Sequence, residues 1–282
     1  MRGTVHVTSA RDHQWLRRLL RHRRAAWERQ ALSQGLTDAL VERAAQVACD
    51  LLETSPLGVS RAELVAAWGS SGIDTVTASS SQDGLRRRHL IMRLHLDGVL
   101  AAGPLRAGEH LMVDACPLPD APGVAKGESG HEEALAVLAA RYAWGHGPVD
   151  EADLARWTGL SLTEARRALA GARVVGESIG LPIAEFEGGL ARADLADLVE
   201  ASSDEAEAML ALPSFDELHV GYKDRSCLTD EAGEALICPA KNGMFRPIVV
   251  EGGRVVAVRA PGRETVMVKG YESRQRPAAR AF

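Results

Sequence analysis

Residues 60–115 read SRAELVAAWGSSGIDTVTASSSQDGLRRRHLIMRLHLDGVLAAGPLRAGEHLMVDA, and this stretch decides the fold of the first half of the chain. Ser60 and Glu63 have the spacing of a capping box, which predicts the start of a short helix. A longer helix is predicted to end at Gly98, and two short strands follow around a glycine-containing turn. A further helix is predicted to begin at Thr37, and the complete order is typical of a winged helix-turn-helix.

The same order of elements returns after residues 119–128, which are rich in proline, glycine and polar residues and are predicted to be a linker. We expect a helix over residues 131–147, a short helix after Pro148, and a third helix that begins with a Ser161–Glu164 capping box. The strands VVGESIG and LPIAEFEG, over residues 174–188, would form its wing. No sequence identity joins the two halves, so the repeat is one of element order only.

The C-terminal third of the sequence has a different pattern of residue types. Residues 190–212 are predicted to be an acidic helical stretch. From Phe215 onward, β-branched and alternating segments are separated by glycine-containing turns, which predicts a small antiparallel β-domain. Its expected strands include FDELHVGYKDR (215–225) and EALICPA (234–240), and EGGR (251–254) is expected to be a hairpin turn.

The N-terminus is strongly basic, although the chain of 282 residues has a formal net charge of −5. Residues 1–30 contain eight arginines against Asp12 and Glu28, whereas residues 185–217 contain ten acids against Arg192. Residues 2–8 are predicted to be a short strand, and Ser9 is placed to cap one basic amphipathic helix that runs to residue 32. A local basic surface can bind nucleic acid whatever the total charge, so the sum does not exclude DNA.

Several classes of protein are excluded by composition and by missing motifs. No run approaches ~20 apolar residues, so no membrane span is expected. The four cysteines are widely spaced without a CxxC, and the histidines lack metal-ligand spacing, so neither a zinc module nor a disulfide scaffold is expected. The charged N-terminus does not fit a signal peptide, which favours a cytoplasmic protein. GxGxxG, Walker, HExxH and GxSxG motifs are absent.

Three blocks of sequence carry a resemblance to a known family. MRGTVHV (1–7), EEALAVLAARYAWGHGPVDEADLARWTGL (132–160), and LPSFDELHVGYKDRS (212–226) followed by NGMFRPIVVEGGRVVAV (242–258) resemble the bacterial winged-helix DNA glycosylases of the AlkZ/YcaQ type. The resemblance covers essentially the whole chain. It implies an α+β fold with tandem winged helix-turn-helix units followed by a small C-terminal antiparallel β-domain. It also implies excision of alkylated bases and unhooking of interstrand crosslinks.

The chain departs from the family pattern at its start. In the family, the RGTxH block lies inside a first winged helix, after a short catalytic motif of glutamine, a hydrophobic residue, and glutamine or aspartate. Here that block opens the sequence, and the motif is expected upstream of Met1. Gln14, Gln30 and Gln34 lack the required spacing. The expected domains are 1–36 as a remnant of a first winged helix, 37–118 and 129–200 as winged helices, 119–128 as a linker, 201–272 as the β-domain, and 273–282 as a disordered tail.

Basic residues on the predicted helices are the candidates for contact with DNA phosphates. The alternative is a solvated face or inter-domain ion pairs for the arginines of the reading helix, and a solvated face or pairing with the acidic segment 185–217 for those near the N-terminus. Lys223 and Arg225 belong to a string of mixed charges, for which an ion-pair cluster that joins the β-domain to the helices is the commoner outcome. The candidates are Arg86, Arg87 and Arg93 on the predicted reading helix, Arg17, Arg21 and Arg24 near the N-terminus, Arg166 and Arg167, and Lys223 and Arg225.

Two functional hypotheses follow, both with double-stranded DNA as the partner. The first is a DNA-binding relative of the alkyl-base glycosylases whose catalytic motif is missing from this chain. The second is a non-enzymatic winged-helix DNA-binding protein such as a transcriptional regulator, and a protein-binding role for the winged helices is a third possibility. In each case we expect a cytoplasmic, nucleoid-associated monomer with no cofactor, no metal and no membrane contact.

Overall fold

The chain is α+β, and its described residues divide into two compact units, one up to His131 and the other from Glu132 onward. The computed structural model describes residues 8–21, 25–33, 35–73, 80–119, 128–260, 262 and 264–271. Residues 2–7 of the predicted strand, most of the predicted linker and the predicted tail at 273–282 lie outside these residues. None of the described helices is long and apolar enough to cross a membrane.

The N-terminal unit contains five helices and one hairpin among its described residues. In chain order they are α1 (Ala10–Leu19), α2 (Ala25–Ser33), α3 (Asp38–Glu53), α4 (Arg61–Ser70), α5 (Ser80–Asp97), β1 (Leu100–Arg106) and β2 (Glu109–Asp114). The predicted caps are confirmed: Thr37 accepts a hydrogen bond from Leu40 N at the start of α3, and Ser60 and Glu63 form the capping box of α4. Gly98 has a φ of +76° where α5 ends.

The core of this unit is formed by α3, α4, α5 and the hairpin. Leu64, Trp68, Leu90 and Leu94 are fully buried, and burial of each leucine contributes roughly 1.5–3 kcal/mol. The Trp68 indole Nε1 donates a hydrogen bond of 3.0 Å to the Ala44 carbonyl, so its polar atom is satisfied inside the core.

The single basic helix predicted from residue 10 to residue 32 is wrong, because the structure contains two helices there. Helix propensity favours continuity through this arginine-rich segment. However, α1 ends at Leu19, and the buried Leu20 has a φ of −100° and a ψ of 9°. Arg17 and Arg21 both donate hydrogen bonds to the Leu96 carbonyl, so tertiary contacts hold this end of α1.

The second unit begins within a helix and ends in a four-stranded sheet. Its elements are α6 (Glu128–His146), α7 (Glu151–Thr158), α8 (Leu162–Ser178), β3 (Ile183–Phe186), β4 (Gly189–Arg192), α9 (Leu195–Ala206), β5 (Leu210–Leu212), α10 (Glu217–Val220), α11 (Glu231–Ile237), β6 (Ile248–Glu251), β7 (Arg254–Arg259) and β8 (Thr265–Met267). The strands β3 and β4 pair as a hairpin, and the larger sheet has the order β5-β6-β7-β8; all pairs are antiparallel.

The wing strand predicted at 174–180 is wrong, since α8 continues to Ser178 and the hairpin lies entirely after it. The β-branched Val174 and Val175 suggested a strand, but β propensity is weak against packing. Small buried residues on α8, among them Ala172 and Gly176, extend the buried face of the helix to its last turn. A Cβ at Gly176 would lie 2.5 Å from the Leu181 carbonyl oxygen, so glycine permits the close return of the chain.

The strands predicted at 215–225 and 234–240 are also wrong. The first segment contains the one-turn helix α10, and the second falls largely within α11. Asp216 and Asp230 cap these helices by accepting hydrogen bonds from Leu218 N and Gly233 N. These local bonds satisfy backbone donors that a strand would have paired across a sheet.

The strands of this unit correct one further prediction and confirm another. The acidic helical stretch predicted at 190–212 is shorter, because its ends form β4 and β5 around α9. The hairpin turn at 251–254 is confirmed: Glu251 pairs with Arg254, and Gly252 and Gly253 have positive φ, as a tight two-residue turn requires.

Candidate nucleic-acid interface

Three of the arginines predicted to bind DNA meet at the C-terminal end of α5. Arg17 Nη1 lies 2.7 Å from the Leu96 carbonyl oxygen, and Arg21 Nη1 lies 3.2 Å from the same atom. The Asp97 carboxylate lies between two guanidinium groups, 2.6 Å from Arg21 Nη2 and 2.9 Å from Arg93 Nε. The positive charges of these arginines lie at the negative, C-terminal end of the helix dipole. They also offset the carboxylate of Asp97, whose negative charge would otherwise be unfavourable at that end.

The same arginines are held by further partners, so the arrangement is an internal network. Arg93 Nη2 also contacts Asp38 at 3.1 Å, and only 19% of its side chain is exposed. Burial alone would lower the pKa of Arg93, but the hydrogen bond and charge of Asp97, together with Glu28 and Asp38, raise it. The partners found here lie within the N-terminal unit, whereas the sequence suggested residues 185–217 or inter-domain pairs as the alternative to DNA. The contact of these arginines with DNA stays a prediction.

Gln14 completes this network. Its side chain is buried, accepts a hydrogen bond from Arg17 Nε at 3.1 Å, and donates to the Ala115 carbonyl at 2.7 Å. A buried amide with both ends satisfied is a structural link between α1 and the chain after β2. The position of Gln14 therefore agrees with its exclusion as a displaced catalytic glutamine.

The remaining arginines of α5 are placed differently. Arg86 and Arg87 are half-buried, whereas Arg88 is exposed. The Arg86 guanidinium approaches Gly35 in the turn before α3, where its Nη1 lies 3.5 Å from the position a Cβ would occupy. Arg24 lies outside the described residues.

The outer face of α8 carries the most exposed of the predicted arginines. Arg166 pairs with Glu151 at 2.7 Å and Arg167 pairs with Glu132 at 3.3 Å, with side chains 66% and 56% exposed. The hydrogen bond from Arg166 lowers the pKa of Glu151. Such exposed pairs contribute about 0–1 kcal/mol, so a phosphate can replace the glutamates at small cost.

Arg173 belongs to the same surface and was missed by the sequence analysis. It is exposed and follows Arg166 by seven residues, which places both on one face of α8. The i, i+7 spacing is a signal that could have found it. We call Arg166, Arg167 and Arg173 the α8 basic face; the opposite face of the helix is buried through Ala165, Ala168, Leu169, Ala172 and Gly176.

The mixed-charge string at 215–225 contributes to two clusters. In the first, the rings of Tyr142 and His146 stack with centroids 4.6 Å apart, and Trp157 lies 5.0 Å from Tyr142. Glu217 Oε2 accepts a hydrogen bond from Trp157 Nε1 at 3.2 Å and lies 3.5 Å from His146 Nε2. The Tyr222 hydroxyl donates to the His146 carbonyl at 2.9 Å, and burial raises the pKa of this phenol.

In the second cluster, Glu234 Oε1 lies 3.0 Å from both Arg225 Nε and His219 Nε2. Burial lowers the pKa of His219, against the opposing effect of Glu234. Arg225 is 20% exposed and engaged in this pair. Lys223 is different: its side chain is exposed, and its backbone N–H donates to Asp153 at 2.7 Å. Lys223 is thus better placed than Arg225 to meet a phosphate.

The chemistry of this surface is that of binding through positive charge. No group of three or more His, Cys, Asp or Glu side chains suited to a metal ion occurs among the residues that the structure describes. Among the described residues, the exposed cations include those of the α8 basic face, Arg88 and Lys223. Exposed guanidinium and ammonium groups are the usual ligands of the DNA backbone.

Comparison with known proteins adds two findings. A family model described as "DNA glycosylase AlkZ-like" matches residues 1–278. The structure of the DNA glycosylase AlkZ of Streptomyces sahachiroi is similar in fold, with a TM-score of 0.52 and 23% identity, over 96% of this chain and 69% of that one. None of the curated proteins matches the chain.

Proposed function

The chain belongs to the AlkZ-like DNA glycosylase family, and from this premise we propose that it binds double-stranded DNA through tandem winged helices followed by a C-terminal β-domain. The family match over residues 1–278 is the observation that carries the proposal. It is supported by an element order that occurs twice: three helices and an antiparallel hairpin, first from α3 to β2 and then from α6 to β4.

The proposed interface includes the α8 basic face. Arg166, Arg167 and Arg173 lie on the third helix of the second repeat, the element that reads DNA in a winged helix. Two of them are paired only with exposed glutamates, whose replacement by phosphate oxygens costs little. Arg87, Arg88 and Lys223 supply further positive charge in this proposal.

The proposed chemistry is that of a glycosylase relative without its usual catalytic motif. No glutamine, hydrophobic residue, and glutamine or aspartate occur in succession anywhere in the 282 residues. Release of an alkylated purine needs an extruded nucleotide and a positioned water, and therefore neither a metal nor a redox cofactor. We expect this chain by itself to bind duplex DNA and to release N7-alkylguanine slowly or not at all.

The second candidate function is a non-enzymatic DNA-binding protein, such as a transcriptional regulator, which the repeated order of three helices and a hairpin would serve equally well. In either case we propose a monomer that acts on the bacterial nucleoid in the cytoplasm. The two functions differ in what they recognise. A regulator prefers one sequence over unrelated DNA by roughly 10³-fold or more, whereas a glycosylase relative binds unrelated duplexes alike.

The test is a salt titration of duplex binding by fluorescence anisotropy. The slope of log K against log salt is negative, and each lost phosphate contact reduces its magnitude by about 0.9. Arg166→Ala/Arg167→Ala should therefore reduce the magnitude of the slope by about 1.8. Arg61→Ala is the matched control, because Arg61 is 61% exposed and also pairs with a glutamate, Glu109 at 3.8 Å. An unchanged slope in the double variant would remove the α8 basic face from the interface, and no duplex binding at low salt would refute the proposal.

Base release is measured in parallel. A duplex that contains N7-methylguanine is incubated with the protein, and free base is quantified by chromatography. Release at a rate well above the spontaneous rate would show that this chain excises bases without the family motif. Tight binding to one sequence among several unmodified duplexes would instead support a regulator.

A further inference from the structure

A pocket of about 530 Å³ opens beside the four-stranded sheet, at the start of β6 and the end of β7. Its lining includes Asn242, Met244, Phe245, Arg246 and Arg259. The volume lies within the roughly 300–1,000 Å³ of small-molecule sites, and such sites combine apolar walls with a few polar groups, as this one does. None of the residues of the α8 basic face lines it.

The side chain of Arg246 and the main chain of Arg259 are held by hydrogen bonds to neighbouring carbonyls. Arg246 Nη1 donates to the Leu236 carbonyl at 3.1 Å, which uses one of the five N–H donors of its guanidinium. Arg259 N donates to the Pro247 carbonyl at 2.9 Å, which joins the end of β7 to the segment that carries Arg246. No acidic side chain occurs among the described residues that line the pocket. The described lining therefore contains two arginines and no carboxylate.

An aromatic wall stands beside these cations. Phe245 is half-buried and is held edge-on by Phe215, at a centroid distance of 5.9 Å, and by His219 at 5.2 Å. Met244 is 63% exposed at the rim, where a flexible thioether can cover a planar ring. Asn242 Oδ1 accepts a hydrogen bond from Met244 N at 3.1 Å, so the amide fixes the loop at the pocket.

We propose that this pocket binds a single nucleotide, with the phosphate at Arg246 and Arg259 and the base against Phe245 and Met244. Guanidinium groups bind phosphate through charge-assisted hydrogen bonds, and an aromatic or thioether surface accepts the face of a base. The nucleotide has two sources, a free nucleoside monophosphate or the 5′-phosphorylated end of a DNA strand. The inference goes beyond the proposed function, because it does not require binding of duplex DNA.

Four ligands test what the phosphate contributes and whether the nucleotide is free or belongs to a strand end. Isothermal titration of the full chain with dGMP, and then with deoxyguanosine, measures what the phosphate adds. We expect dGMP to bind at least about tenfold more tightly, since a dianionic phosphate meets two cations. A single-stranded hexanucleotide with a 5′-phosphate, and the same strand with a 5′-hydroxyl, are then tested as competitors of dGMP.

Variants of opposite charge at one exposed rim position test the location. Met244→Glu should weaken dGMP binding by about tenfold, and Met244→Lys should strengthen it. Asn242→Asp should also weaken it, while an aspartate oxygen can still accept the hydrogen bond from Met244 N. Val199→Glu on α9 is the control, because it is 59% exposed, adds the same charge and lies outside the lining. Equal thermal melting of all four variants verifies that the fold is retained.

The outcomes are distinct. Competition by the 5′-phosphorylated strand alone supports the site and identifies a strand end as its ligand, whereas binding of dGMP without competition by either strand supports it for a free nucleotide. Equal affinity for dGMP and deoxyguanosine, or equal affinity of all variants for dGMP, overturns the proposal. Duplex binding is measured separately in the same variants; its absence together with intact dGMP binding refutes only the proposed function.

Discussion

Removal of Arg17 and Arg21 distinguishes an internal network from a DNA contact. In Arg17→Ala/Arg21→Ala, the Leu96 carbonyl loses both of its guanidinium donors, and the buried Gln14 oxygen loses the hydrogen bond of Arg17. Asp97 keeps Arg93 as a partner. Arg21 is 37% exposed, so its ion pair is screened and contributes little. Hydrogen bonds to charged groups and an unsatisfied buried acceptor bring the expected loss of unfolding free energy to about 2–3 kcal/mol.

The assay is urea unfolding followed by circular dichroism, together with the salt titration of duplex binding. With an m value of about 2–3 kcal/mol/M, the midpoint should fall by about 1 M, while the salt dependence of binding stays as in the parent. Arg166→Ala/Arg167→Ala removes the same charge from exposed pairs and should show the reverse: an unchanged midpoint and a slope lower by about 1.8. An unchanged urea midpoint with a reduced slope in the Arg17/Arg21 variant would refute the internal assignment and return these residues to the DNA face.

Three further predictions concern stability. Tyr142→Phe removes a buried hydroxyl that donates to a buried carbonyl at 2.9 Å, and urea unfolding should show a loss of about 1–3 kcal/mol; no loss would mean that water replaces the bond. Burial lowers the pKa of His95 and His219 below 6.5, so at lower pH the unfolded chain binds more protons than the folded chain. The melting temperature should therefore be lower at pH 5.5 than at pH 7.5. A melting temperature that does not change with pH would contradict this. Leu64→Ala should cost about 2–5 kcal/mol because Leu64 is fully buried, whereas Leu162→Ala at a site 53% exposed should leave the midpoint nearly unchanged, and similar effects of the two would contradict the core assignment.

Helix starts and tight turns were predictable because their signals are local. The capping boxes at Ser60 and Ser161 and the hairpin turn at 251–254 each depend on residues within four positions, and all three are present in the structure. The errors occurred where local preference met packing. Val174 and Val175 favoured a strand, but the buried small-residue face of α8 kept them helical.

From the sequence, the candidate interface could be predicted only as a set of basic residues, without the surroundings of each. Arg17 and Arg166 look alike in sequence, since each lies in a basic amphipathic helix. Their surroundings differ, because Arg17 reaches a carbonyl 79 residues away while Arg166 pairs with an exposed glutamate on the neighbouring α7. No sequence pattern indicated the pocket, since Asn242 and Arg259 come together only after the chain around the four-stranded sheet has folded.

By itself, the sequence determined the class of the fold and the order of most helices and hairpins, because capping, turn chemistry and hydrophobic periodicity act over short distances. Membership of a DNA glycosylase family also follows from the sequence, but through its similarity to that family over residues 1–278. The tertiary structure decided which cations are committed to internal partners and which remain exposed. Hydrogen bonds such as Gln14 to Ala115, across 101 residues, and Tyr142 to Gly221, across 79, exist only after the chain has packed. Burial then sets whether a polar group is a structural link or a site for a ligand.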